Sequence, residues 1–448
     1  MTTIEHGGDA TRPTGAGTPG TTGVGGTGGI AAQILDLVAP VFGGTVPFRV
    51  RAFDGSLAGP TDAPLVTVTT RDALRRLLWS PGELGLARAF AAGDLDVDGD
   101  LADSLELVWS ALASRGSSRA RPGGRAWLRM ARAAGRLGAL GLPPPAPASE
   151  ARVAGRLHSR RRDRAVVAHH YDLSNAFYEL LLDETMAYSC AYFSGPDQPL
   201  AAAQRAKLEL VCTKLGIGPG TRLLDLGCGW GSLALHAARE HGATVTAVTL
   251  SGEQASYVRV RAGEHGLAGR VEVVQADYRD APVDEHDAVS AIEMGEHVGR
   301  DGYPAFASLL ASRLRPGGRV LVQQMSRPRS SPGGGPFIES YIAPDMHMRP
   351  VGETVALLER AGLEVRDVEA MREHYARTAR AWYATLVENE PAAISLIGPE
   401  RVRVWRLYLA GIAIGFERGS TGVDQILAVR PASDGSSGMA PGRAGWRP

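Results

Sequence analysis

Lysine is nearly absent from this chain: Lys207 and Lys214 are the only two among 48 basic residues, and arginine supplies the rest. Acidic residues also number 48, so no overall field draws the protein to nucleic acid, and no nucleic-acid partner is expected. Cysteine is scarce too. Cys190, Cys212 and Cys228 cannot make a disulfide framework and their spacing fits no zinc pattern, so a reducing cytoplasm and no metal are expected. No apolar run reaches bilayer-spanning length, and the N-terminus lacks signal-peptide order. These absences leave a soluble or membrane-peripheral protein, and 448 residues exceed the usual single domain.

Composition divides the chain. Residues 1–30 are Gly/Thr-rich with almost no large apolar side chains and read as a disordered tail. A small α/β domain is expected over 31–113. Within it residues 48–53 alternate like a strand, Asp54-Gly55 is a hairpin signal, and residues 65–69 are the expected partner. An arginine-rich linker follows over 114–162; thirteen arginines between 115 and 164 face only Glu150 and Asp163. Trp127, Leu128, Met130, Leu137, Leu140 and Leu142 are interleaved with these charges, a pattern suited to an anionic membrane surface or to a solvated linker. The second domain spans 163–431, and 432–448 read as another disordered tail.

The strongest local signal is Leu223-Leu224-Asp225-Leu226-Gly227-Cys228-Gly229-Trp230-Gly231. A run short enough for a buried parallel strand ends in alternate glycines, and an alanine-rich helical segment follows. Glycine lets the backbone turn tightly and a ligand approach without meeting a Cβ. The helix start behind it offers unpaired N–H groups. Open α/β sheets bind nucleotide-like ligands at such a place. The spacing is neither the G-x-G-x-x-G of a dinucleotide fold nor a phosphate loop. It resembles motif I of class I S-adenosylmethionine (SAM) methyltransferases, which implies SAM as cofactor, lined by Gly227, Gly229 and Gly231, with Asp225 ordering the turn through backbone hydrogen bonds. Strand-like runs at 244–250, 271–275, 287–293 and 319–323 alternate with helix-length segments, so the fold class is α/β, a Rossmann-like doubly wound sheet beside the smaller N-terminal domain.

Longer blocks narrow the resemblance. His169-His170-Tyr171-Asp172, Met186 to Phe193, Thr249-Leu250-Ser251-Gly252-Glu253-Gln254, Glu293-Met294-Gly295-Glu296-His297-Val298-Gly299 and Glu373 to Thr378 with Trp382 fall in one order. Together they resemble the cyclopropane-fatty-acyl-phospholipid synthase and mycolic acid methyltransferase family over roughly residues 45–430, the linker excepted. In this family the methyl group of SAM is added to a cis double bond of an acyl chain, beside a bicarbonate ion held by a cysteine, a glutamate, a histidine and a tyrosine. An alkene is a poor nucleophile, so orientation must supply much of the help. The carbocation it leaves needs a dry site, negative or π-electron density and a base. Carried over residue by residue, Cys190, Glu296 and Tyr375 match, whereas Gln323 stands where the histidine would be. Glutamine can donate to an anion but cannot titrate. Bicarbonate binding through Gln323 and Glu296 acting alone as base both stay open, with His297 as an orienter of Glu296.

The same resemblance assigns Tyr188 and Ser189 to the amino-acid end of SAM, Thr249 and Gln254 to its ribose side, and Asp277 to its adenine edge. Cys212, Cys228, Trp382, Trp405 and Tyr408 read as packing residues. Gln323-Gln324-Met325 and residues 337–350 are most similar to the actinobacterial subfamily that makes the methylene precursor of tuberculostearic acid from oleoyl phospholipids. The implied product is a methylene-branched chain. A cyclopropane is the alternative, and a non-catalytic SAM- or lipid-binding module the second. No flavin or nicotinamide fingerprint is present, so any reduction falls to a separate reductase partner. The resemblance further implies an unsaturated membrane phospholipid as substrate, a peripheral position at the inner face of the cell membrane, and a homodimer.

Overall fold

The computed structural model describes residues 29–114, 132, 135–171 and 174–443. Two sheets organise them. The smaller has the order β2-β1-β3-β4, from β1 (Arg49–Arg51), β2 (Leu57–Ala58), β3 (Leu65–Val68) and β4 (Leu95–Val97). The larger comprises β5 (Arg222–Leu226), β6 (Thr244–Thr249), β7 (Val271–Gln275), β8 (His286–Ile292), β9 (Leu314–Ser326), β10 (Glu364–Ala370) and β11 (Gly422–Val429), in the order β10-β11-β9-β8-β5-β6-β7. Strands β7, β6, β5, β8 and β9 are parallel, and β11 runs antiparallel to β9 and β10. Strand order reverses beside β5, the switch point where such a sheet opens a crevice.

Burial on both faces explains the continuous apolar runs. Leu223 packs among the helices Leu200–Leu215, Ser232–Glu240 and Gly252–Glu264, while its neighbour Leu224 packs with Tyr303–Ser312 on the opposite face. Successive side chains of a strand point to opposite faces, so both must be apolar when helices cover both. A third cluster roofs the carboxyl ends of the parallel strands. It joins Phe90 and Leu101 of the N-terminal helices to Trp230, Tyr375, Trp382, Trp405 and Val423. Arg403 ties the two parts further, donating to the carbonyls of Phe90 (2.6 Å) and Leu95 (2.7 Å).

Several expectations change. The hairpin at Asp54-Gly55 pairs β1 with β2, and β3 lies on the other edge of β1, parallel to it. Gly59 at φ 110° and Pro60 stop β2 after two residues, which sends the chain round to the free edge. The edge strand β10, Glu364–Ala370, carries four charges in seven residues and gave no apolar signal. Within the expected linker, Leu137 is buried in the N-terminal core and Glu150 pairs with Arg88 at 2.5 Å, so these two residues are packed rather than free. Trp127, Leu128 and Met130 lie outside the described residues, as do residues 1–28 of the expected N-terminal tail. Among the described residues no helix is long and apolar enough to cross a membrane.

Candidate active site

The turn after β5 is tied to β6: the N–H groups of Gly227 and Cys228 donate to the Val248 carbonyl at 2.9 and 3.0 Å. Gly227 (φ 73°) and Gly229 (φ 55°) line a cleft at the end of the sheet. A Cβ on Gly229 would meet nothing within 4 Å, so it would project into open space that a ligand can use. Gly231 does something else. It precedes the helix Ser232–Glu240 at φ 81°, and a Cβ there would press on Val258 at 2.9 Å, so its absence serves helix packing. Asp225 corrects its expectation too. Its carboxylate accepts from the Ser290 hydroxyl at 2.7 Å, among the described residues no glycine amide donates to it, and burial pushes its pKa up to about 6.

Tyr188, Ser189, Thr249, Gln254, Asp277 and His297 also line this cleft. The cavity volume of the cleft is about 200 Å³. The Thr249 hydroxyl donates to Gln254 at 2.7 Å. Asp277 receives Arg279 through both oxygens (2.7 and 2.6 Å); burial lifts its pKa, Arg279 more than offsets this, and the net shift is downward. Arg279 also reaches Asp163 at 2.6 Å on the helix Arg160–Tyr171, and Arg162 of that helix pairs with Asp345 at 2.5 Å. These pairs hold the helix along the cleft, which Asp163, Val166 and Val167 help to wall. Burial drives His297 down to about 4, so it is neutral at pH 7, and among the described residues it makes no side-chain bond to Glu296.

The carboxylate that meets Cys190 and Tyr375 is Glu293, not Glu296. Glu293 Oε1 accepts from the Cys190 backbone N–H (2.8 Å) and Gln323 Nε2 (2.9 Å), and Oε2 accepts from the Tyr375 hydroxyl (2.6 Å). Cys190 contributes its backbone; its buried thiol, pKa pushed well up by burial, turns toward the carbonyls of Ala191 and Met371. Glu293 follows β8 at φ 52°, a left-handed conformation unusual for a side-chain-bearing residue, and lines the cleft. Burial raises its pKa, opposed by the three donors and by the Lys207 ammonium. Glu296 is fully buried, and among the described residues neither of its oxygens has a hydrogen-bond partner. Burial and then the charge of Glu293 push it up to about 8, so it carries its proton at pH 7. The two acids of one short block therefore differ: Glu293 has three hydrogen-bond donors that favour its ionised form, and Glu296 is held neutral.

Both lysines serve this place. They lie seven apart on one face of Leu200–Leu215, each 1% exposed. Lys207 donates to Ser189 Oγ at 2.9 Å and lines the cleft near Glu293. Lys214 donates to Gln425 Oε1 (2.8 Å), Gln425 Nε2 to Gln323 Oε1 (2.9 Å), and Gln323 Nε2 to Glu293. An ammonium has only donors, so Lys214 sets the direction of both amides. Sequence reasoning named Gln323 but missed Glu293, Lys207 and Gln425; the scarcity of lysine was the one visible signal.

A profile of the family described as mycolic acid cyclopropane synthetase matches residues 158–426. The chain belongs to this family. A probable fatty acid methyltransferase of Mycobacterium tuberculosis is 37% identical over 425 residues, 93% of this chain and 98% of that relative. The tuberculostearic acid methyltransferase of the same organism is 32% identical over 401 residues, 86% of this chain and 88% of that relative. The structure of a mycolic acid cyclopropane synthase with S-adenosylhomocysteine and CTAB superposes with a TM-score of 0.56 at 32% identity, over 59% of this chain and 97% of that one. As a member of the cyclopropane synthetase family the protein is a SAM-dependent methyltransferase acting on lipid double bonds, with the Rossmann-like class I fold. The glycine cradle at Gly227 and Gly229 fits SAM, since a Cβ at Gly229 would fill the space offered to it.

Proposed function

We propose that this family member methylates the cis double bond of an unsaturated phospholipid acyl chain, such as oleoyl, and releases a methylene-branched product. One observation carries the reading: a buried carboxylate, Glu293, held by three donors, faces the SAM cleft beneath a thick apolar roof. Bound SAM supplies an electrophilic methyl group on a sulfonium. Gly227 and Gly229 admit that cofactor closely, and the roof built from Tyr375, Trp382 and Trp405 excludes water from the developing cation. The π faces of Tyr188 and Trp382, centroids 5.2 Å apart, offer it further electron density.

The two curated relatives above are called fatty acid and tuberculostearic acid methyltransferases and align across both parts of the chain, which favours the methylene product over the ring. Exposed Trp79, Leu140 and Leu142 support docking at a membrane surface; they lie close together, since Trp79 Nε1 donates to the Gly141 carbonyl. Saturation of the methylene group falls to a partner reductase. The test is expression in a host fed oleate, followed by mass spectrometry of its phospholipid acyl chains. A species heavier by one CH₂ that is cleaved by ozone supports the proposal, an ozone-resistant one indicates a cyclopropane, and no heavier species overturns it.

A further inference from the structure

We infer that the Glu293 carboxylate is the built-in proton acceptor of this reaction and occupies the place where the family resemblance puts a bicarbonate ion. The inference rests on the lipid-methylation reading above. A bound bicarbonate needs hydrogen-bond donors, and the donors at this point are already taken. The Cys190 N–H, the Tyr375 hydroxyl and Gln323 Nε2 all point at Glu293, at 2.8, 2.6 and 2.9 Å. Gln323 cannot turn to serve another anion, because its Oε1 is held by Gln425. A second anion placed here would face a carboxylate in a low-dielectric site, and two such charges in contact cannot both stay ionised. Bicarbonate does not fit this arrangement.

The geometry of Glu293 favours the role. Its left-handed backbone, just past the end of β8, carries the carboxylate to the cleft between Tyr375 and Cys190. Lys207 and the three donors favour its ionised form, and Glu296, raised to about 8, places no second charge beside it at pH 7. The step balances as follows. The alkene π pair forms the new C–C bond to the methyl carbon as the S–CH₃ pair departs with sulfur, leaving a cation on the neighbouring carbon. A hydride shift moves the cation to the methylated carbon. A Glu293 oxygen takes a proton from the added methyl, whose C–H pair becomes the exocyclic double bond. The proton then leaves to solvent, regenerating the carboxylate.

The wild-type chain and two full-length variants test this on vesicles of oleoyl phospholipid. Wild-type turnover is expected to be equal in carbonate-free buffer and with added bicarbonate. Glu293→Gln keeps the shape but not the basicity, and is expected to lose about 100-fold or more in turnover while still binding SAM. Glu293→Gly is compatible with φ 52° and vacates the donors, so added bicarbonate should restore part of its turnover. A reading independent of activity uses carbon-13-labelled bicarbonate observed by NMR with S-adenosylhomocysteine present: Glu293→Gly binds it, and the wild type does not. Bicarbonate bound to the wild type, bicarbonate-dependent wild-type turnover, or a Glu293→Gln enzyme of near-normal rate overturns the inference and leaves the lipid reading standing. Absence of any methylated lipid from the wild type overturns the lipid reading and the proton-acceptor role together.

Discussion

Gln323 Nε2 lies 2.9 Å from Glu293 Oε1, and the same amide accepts from Gln425 at its other end. A side chain that cannot titrate thus acts as a fixed donor, because Lys214 sets the direction of the chain behind it. Gln425→Glu should reverse that direction. Glutamate at 425 still pairs with Lys214 but cannot donate to Gln323, whose amide then turns its oxygen toward Glu293. The expected result is a roughly tenfold fall in kcat, on the scale of one lost hydrogen bond to a charged group, with an alkaline shift of the kcat–pH profile and little change in KM for SAM. An unchanged pH profile would show that the amide order does not matter.

Glu296 predicts a pH dependence of stability. Its carboxyl is raised by burial and by Glu293 from 4.5 to about 8. Between those values the folded chain holds a proton that the unfolded chain has lost, so this group's contribution is complete below 4.5 and is lost as pH rises toward 8. Asp225, raised to about 6, acts in the same sense at lower pH. The melting temperature of Glu296→Gln should therefore fall less than that of the wild type between about pH 6 and 8. Calorimetry across that range checks it, and parallel curves would refute it.

Arg279 clamps the helix Arg160–Tyr171 to the cleft wall by bridging Asp163 and Asp277. Arg279→Met removes the bridge and leaves two acids facing each other. Because the guanidinium is 29% exposed, the effect should be moderate, about three- to tenfold weaker SAM binding by titration calorimetry, consistent with a partly exposed ion pair. Turnover at saturating SAM should change less than twofold.

The apolar patch has its own readout. Trp79→Ser with Leu142→Ser should reduce sedimentation with anionic oleoyl vesicles by severalfold, since each loses apolar area available to the bilayer. SAM affinity should be unaffected, as both residues are exposed and neither lines the cleft. Undiminished vesicle binding would move the membrane contact elsewhere.

Residues adjacent in sequence were legible beforehand. The strand–glycine–helix unit at 223–239 announced its own geometry, because alternate glycines at positive φ and an apolar run are local demands on the backbone. The family blocks likewise pointed to Tyr375, Cys190 and Gln323. Only Met294 and Gly295 separate Glu293 from Glu296, and no local rule says which of the two acids faces Tyr375. A left-handed turn at Glu293 decides it, and that turn is maintained by the Gln323 carbonyl on the neighbouring strand.

Sequence alone determined the α/β sheet, the SAM cradle and the family, since these depend on periodicity, glycine and ordered motifs within short stretches. Tertiary structure alone decided which acid meets Tyr375 and which stays neutral, why two rare lysines are buried, and how a glutamine comes to hold a carboxylate. Those outcomes depend on distances between strands and helices far apart in the chain, where burial and hydrogen bonding set charge.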